Sequence, residues 1–117
     1  MPNLPMVVYE LPTFRRSAKR LLDEDQVDEI VLAIATDPEA GDILEGTGGV
    51  RKRRFGLDAR GKSGGVRVIY YFHGFDMPAF IITVFAKNEA SNLTKAEANA
   101  MRAVVDQIVS GWRSRTA

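Results

Sequence analysis

Four consecutive cations, Arg51-Lys52-Arg53-Arg54, form the densest run of charge in the chain. They fall in a segment that reads as a β-strand. Alternation then sends Lys52 and Arg54 to one face and Arg51, Arg53 and Phe55 to the other. A strand buried on both sides cannot hold four cations, because unpaired buried charge is too costly. At least one face must therefore meet solvent, an acidic partner or a phosphate. An edge strand that uses charge to resist aggregation would show the same run. Arg67 is a sharper signal. It lies inside the otherwise apolar Val66-Arg67-Val68-Ile69-Tyr70-Tyr71, where a guanidinium needs an anionic partner or a polar cleft. A salt bridge to an acid such as Glu89 would also account for it. Lys87 ends the apolar run Phe80 to Ala86, and Asn88, Glu89, Ser91 and Asn92 follow it. The plain alternative for Lys87 is a surface lysine at a strand end. His73 reads as a turn residue rather than a catalyst.

What is missing narrows the chemistry. The chain contains no P-loop, HExxH, G-x-S-x-G or GxGxxG sequence. It has no cysteine and one histidine, which excludes disulfides, thiolate metal sites and histidine-rich sites. No carboxylate cluster falls on the apolar strands, so neither a metal nor a cofactor is expected. The tools left are Lys, Arg, Ser, Thr and Tyr. Net charge is only +1, yet it is unevenly spread. Asp23 to Glu45 holds nine acidic residues and no basic one, whereas Gly46 to Arg67 holds seven basic residues against Asp58. Such a basic block suggests a polyanionic partner. Two solvated faces of opposite charge are the bland alternative.

The elements that position these residues follow from periodicity. The 117 residues favour one domain, expected over 1–112 with 113–117 as a disordered tail. Val7, Val8 and Tyr9 read as an opening strand. Phe14, Ala18, Leu21 and Leu22 at helical spacing predict a short basic helix. Asp23 and Gln26 resemble a capping box, and Val27, Ile30, Val31 and Ile34 form the stripe of a second helix that Pro38 ends. A glycine-rich loop leads to a strand over Val50 to Leu57. Val66 to Phe72 and Ala79 to Ala86 are strands apolar on both faces, hence central and covered. Thr94 with Glu97 caps a last helix whose stripe is Met101, Val104, Val105, Ile108 and Trp112. The order β-α-α-β-β-β-α predicts an α+β fold, a small mainly antiparallel sheet with helices packed on it. No apolar run is long enough to cross a bilayer. Met1 to Glu10 lacks the pattern of a signal peptide. A cytoplasmic location is the expectation.

Taken together, these residues resemble the RelE superfamily of bacterial toxins, and within it the HigB-type branch. The resemblance is carried by Gly46-Thr47-Gly48-Gly49-Val50-Arg51-Lys52-Arg53-Arg54-Phe55, by Gly61-Lys62-Ser63-Gly64-Gly65-Val66-Arg67-Val68-Ile69-Tyr70-Tyr71, and by Phe85-Ala86-Lys87-Asn88-Glu89. Lys95-Ala96-Glu97 in the closing helix belongs to the same pattern. The resemblance implies a ribosome-dependent, metal-independent endoribonuclease that cuts messenger RNA and so inhibits translation. It also implies a cognate antitoxin, of the helix-turn-helix type, and the ribosome as partners. Four residues carry over as catalytic: Lys52, Arg54, Arg67 and Lys87. Arg51, Arg53, Arg60, Lys62 and Asn88 are the expected RNA-binding set. Some relatives place an arginine and a late tyrosine where this chain offers Asn88 and Thr94, so the general acid is left open.

The implied reaction suits this toolkit. A ribose 2′-hydroxyl attacks the adjacent phosphate, giving a 2′,3′-cyclic phosphate and a 5′-hydroxyl. A bidentate guanidinium stabilises the excess charge of the phosphorane, a role assigned to Arg67. Like charge on Arg51, Arg53 and Arg54 disfavours the ammonium form of Lys52, which suits a base. Lys87 or Arg54 then acts on the leaving group. Two rivals stand beside this reading. One is a non-catalytic nucleic-acid-binding regulator, which would not require Arg67 within an apolar strand. The other is a regulator that binds a protein partner through the acidic helix.

Overall fold

The computed structural model describes residues 5–56, 65–87 and 93–116. In chain order the elements are β1 (Val8–Glu10), α1 (Pro12–Leu21), α2 (Glu24–Thr36), β2 (Asp42–Ile43), β3 (Val50–Phe55), β4 (Val66–Tyr71), β5 (Ala79–Ala86) and α3 (Lys95–Thr116). The strands form one five-stranded sheet in the order β1-β5-β4-β3-β2. Only β1 with β5 is parallel; the other three pairings are antiparallel. The α+β architecture and the β-α-α-β-β-β-α order agree with the sequence reading, and β4 and β5 lie inside the sheet and are covered, with β3 also paired on both sides.

Local chemistry explains the elements. α1 begins on Pro12, whose missing N–H costs nothing at a helix start. At α2, the Asp23 carboxylate accepts from the Gln26 N–H at 2.8 Å and the Gln26 side chain accepts from the Asp23 N–H at 3.0 Å. α3 has the same reciprocal cap: Thr94 N–H donates to Glu97 at 2.9 Å, and Glu97 N–H to Thr94 Oγ1 at 3.1 Å. These two caps each satisfy a pair of otherwise orphaned donors.

Two apolar layers sandwich the sheet. On one side Phe14 and Ala18 of α1 and Ile30 and Ile34 of α2 pack against Val68, Tyr70 and Ile81. On the other, Met101, Val105, Ile108 and Trp112 of α3 pack against Val50, Tyr71 and Phe80. Val50, Tyr71, Phe80 and Tyr9 are successive register partners across four strands. They form a row at one end of the sheet, and α3 crosses that row. The β4–β5 pairing shifts between Ile69 and Tyr70. Ile69 faces Thr83 and Tyr70 faces Ile81, so Ile82 is the extra residue of a bulge. The Thr13 hydroxyl donates to the Ile82 carbonyl, which ties α1 to the irregular point of β5.

Two expectations need correction. β2 emerges from the loop after α2, because Asp42 and Ile43 pair with Lys52 and Arg51; two residues carry too little periodicity to announce a strand. Helix α3 also runs on to Thr116, through the stretch assigned to a tail. Gly111 weakens a helix by only about 1 kcal/mol relative to alanine. Arg113 and Arg115 lie in the last turn, where cations suit the helix dipole. The Arg115 guanidinium also stacks 5.6 Å over the Trp112 ring.

Candidate active site

Strand register gathers the cations at the end of the sheet opposite the row under α3. Arg54 of β3 stands across from Arg67 of β4, which stands across from Phe85 of β5. Register partners project to the same face, and Phe85 packs in the α3-side cluster, so Arg54 and Arg67 share that face. Lys52 is partnered with Ile69, which belongs to the same cluster. Lys52 and Arg67 are half-buried and Arg54 is exposed. Lys87 follows the last residue of β5 and is exposed at the same end. Three of the four residues assigned to catalysis thus share one surface, with Lys87 at its rim.

Gly65 sets the entry to this arrangement. Its φ of 66° lies in the left-handed region, and a Cβ there would meet the Phe55 carbonyl oxygen at 2.0 Å. Only glycine brings the chain back against β3 so closely, and Arg67 follows two residues later.

Arg51 and Arg53 do not join the cluster. They point to the opposite face, where Arg53 caps the end of α2 and Arg51 holds the loop that follows it. Arg51 Nη1 donates to the Glu39 and Gly41 carbonyls at 3.0 and 2.8 Å. Arg53 Nη1 donates to Ala33 at 3.2 Å and to Asp37 at 3.5 Å. Its guanidinium also lies 4.8 Å from the centroid of the Phe55 ring. α2 has no basic residue in its last turn, and β3 supplies the missing cation to the exposed carbonyls. That lack was the available signal for this role, and sequence reasoning missed it. Tyr70 completes the arrangement. Its hydroxyl donates to Pro38 O at 2.7 Å and accepts from Gly41 N–H at 2.9 Å. Burial pushes the Tyr70 phenol above its ordinary range, against the lowering effects of the Gly41 N–H, Arg51 and Arg53.

The cations that crowd Lys52 on its own face are therefore Arg54 and Arg67, not Arg51 and Arg53. Arg60, Lys62 and Asn88 lie outside the described residues, as does Glu89. His73 sits after β4 with Nδ1 3.2 Å from Asp76 Oδ1. It lines a cleft of about 770 Å³ beside α3, with Tyr71, Arg102 and Asp106. The cleft lies at the Tyr71 end of β4, away from Arg67. Among the described residues no group of three or more His, Cys, Asp or Glu side chains is placed to hold a metal ion. No helix of the described residues is long and apolar enough to cross a membrane.

Chemically, the cluster combines a compact lysine point charge with two planar guanidiniums that can bind phosphate oxygens in bidentate fashion. Like charges directly opposite one another weaken a sheet, so the arrangement is suited to receiving an anion.

Comparison with known proteins bears on the fold and the family. A family model described as the RelE toxin of the RelE/RelB toxin–antitoxin system matches residues 6–114. Among solved structures, the fold is similar to that of E. coli toxin RelE in the free state, a mutant with two arginines replaced by alanine. That match has a TM-score of 0.57 at 19% identity, and covers 87% of this chain and 98% of that one. With its family match running almost end to end, the chain belongs to the RelE toxin family and is the toxin component of a toxin–antitoxin system.

Proposed function

We propose that the protein is a ribosome-dependent endoribonuclease that cleaves messenger RNA without a metal ion and thereby inhibits translation. The observation that carries this reading is the placement of Lys52, Arg54 and Arg67 on one face of two adjacent strands, with Lys87 at the rim. In the reaction, the 2′-oxygen bonds to phosphorus and the bond from phosphorus to the 5′-oxygen breaks. Lys52, as the free amine, takes the 2′ proton. Arg67 holds the non-bridging oxygens as charge accumulates on the phosphorane. Lys87 or Arg54 stabilises or protonates the departing 5′-oxygen. No histidine pair assists, so activity on free RNA is weak. The ribosome supplies substrate positioning, worth roughly 7–11 kcal/mol in well-oriented systems.

Resemblance supports placement in the HigB-type branch, with a helix-turn-helix antitoxin as partner. Expressed alone, the chain should arrest growth, and co-expression of the antitoxin should relieve the arrest. Messenger RNA cut on purified ribosomes should carry 5′-hydroxyl ends, and cutting should survive chelation once ribosome integrity is controlled for. Fragments with 5′-phosphate ends would sink the mechanism. Binding to RNA with no cleavage would favour a non-catalytic regulator.

A further inference from the structure

The cationic cleft does not use all of the chain's concentrated positive charge. α1 carries Arg15, Arg16, Lys19 and Arg20, all exposed, and no acidic residue. Phe14 and Ala18 are buried against the sheet. At 3.6 residues per turn, the four cations cover the outward side of the helix. They form two rows, Arg15 with Lys19 and Arg16 with Arg20, each spaced one turn apart. A turn advances about 5.4 Å, comparable with the separation of successive phosphates along a nucleic-acid strand.

The helix is also held rigidly. Its Thr13 hydroxyl donates to the Ile82 carbonyl and its Ser17 hydroxyl lies 3.5 Å from that of Thr83. α1 therefore advances along β5 in the strand's own direction, towards the end that carries Lys87. Its buried residues, Phe14 and Ala18, pack on the side of the sheet away from Lys52, Arg54 and Arg67, and Ser17 reaches round the edge of β5 to Thr83. Arg15 and Lys19 border a groove of about 310 Å³ whose far wall includes Glu24 and Asp28 of α2, so one row is partly offset by acids. Arg16 is not among the residues that line this groove.

We propose that α1 is a second phosphate-binding surface that docks structured RNA, while the cleft on the other face of the sheet holds the strand to be cut. On the function proposed above, on which this inference rests, that RNA is ribosomal. A duplex or folded RNA presents a fixed lattice of phosphates, and a rigid helix with regularly spaced cations is complementary to it. An acidic protein segment is the competing occupant. The Arg16–Arg20 row offers it no apolar anchor, because the apolar side chains beside α1, Ala18, Leu22 and Val27, line the groove on the other side of the helix, which neither arginine borders.

The test is a titration of full-length protein onto purified ribosomes over a range of salt concentrations. Arg16→Glu/Lys19→Glu should weaken binding at least about tenfold at low salt and flatten the log–log salt dependence, by roughly 0.7–0.9 for each phosphate no longer neutralised. Arg16→Gln/Lys19→Gln, a milder change at exposed positions, should shift both quantities the same way at an unchanged Tm. Arg102→Glu/Arg115→Glu, which alters net charge equally on α3, should have the smaller effect. Equal losses from the α1 and α3 pairs would overturn the proposal, since net charge alone would then explain them. So would α1 variants that bind ribosomes like the parent chain, or that lose the antitoxin while keeping the ribosome. A parent chain that fails to bind ribosomes would overturn the proposed function and this inference together, whereas binding indifferent to α1 overturns this inference alone.

Discussion

Arg54 and Arg67 face each other directly across the β3–β4 ladder, two guanidiniums on register-paired residues of adjacent strands. Residues opposite one another on antiparallel strands are about 5 Å apart at the backbone, and like charges there destabilise the sheet. Two cations held side by side on one face present a surface suited to an anion. Arg54→Thr should therefore raise stability by about 0.2–1 kcal/mol while lowering cleavage. Thermal melts set beside ribosome-dependent cleavage rates check this, and a variant less stable than the parent would refute it.

Arg67 bears the larger functional share in this scheme. Arg67→Ala should abolish growth arrest in a protein that still melts cooperatively and still associates with ribosomes. Full arrest by a correctly folded Arg67→Ala chain would remove Arg67 from the mechanism.

The back of the same strand makes a structural prediction. Tyr70→Phe deletes a buried hydroxyl that serves both Pro38 O and Gly41 N–H, and should cost roughly 1–3 kcal/mol because both partners stay buried. Gly41→Ala should also destabilise, since its Cβ would lie 2.7 Å from the Tyr70 hydroxyl. Urea unfolding of the singles and the double measures the coupling. Strict additivity would show that the two residues do not act through one another.

Much of the fold is legible in the sequence, and what is not has a physical cause. The caps at Asp23 and Thr94 are local, four-residue patterns, and both occur as read. β4 and β5 betray themselves by apolar residues on both faces. Alternation alone separates Lys52 and Arg54 from Arg51 and Arg53. What it cannot supply is the partner of each face, because the carbonyls capped by Arg53 lie 16 and 20 residues away in sequence. Four adjacent cations therefore look like one basic block, although Arg53 serves the end of a helix and Arg51 the loop after it. The full length of α3 is hidden for a related reason. Gly111 argues locally for a stop, while the stacking of Arg115 on Trp112 arises only once the helix is formed.

The α3 cap predicts a pH response. Hydrogen bonds from the Thr94 backbone, and then from its side chain, hold the Glu97 carboxyl below its ordinary range. A carboxyl with a depressed folded-state pKa adds stability above its unfolded value and loses it as pH falls through the folded value. The stability of the parent chain should thus decline across the acidic end of the carboxylate range. Glu97→Gln, which keeps a side-chain acceptor without the charge, should flatten that part of the profile. Identical pH–stability curves for the two proteins would count against the assignment.

Antitoxin binding gives the last prediction. The HigB-type resemblance favours an antitoxin that leaves the cleft uncovered and blocks the ribosome by bulk. Reversing charge at Lys52 or Arg67 should then weaken the complex by less than about 1 kcal/mol, the scale of an exposed ion pair. Titration calorimetry decides it. A loss of several kcal/mol at both positions would mean that the antitoxin fills the cleft.

The parallel pairing of β1 with β5 joins Val8 to Ala79, and α3, which covers the far side of the sheet, comes later still. Chains emerge from the ribosome N-terminus first, at roughly 5–20 residues per second. The opening strand must therefore wait, unpaired, for several seconds until β5 has been made. Contacts so distant along the chain slow folding, because loop closure precedes any gain from pairing. The sheet is thus completed only once β5 has emerged, so a growing chain that stops short of Ala79 lacks the partner of its opening strand.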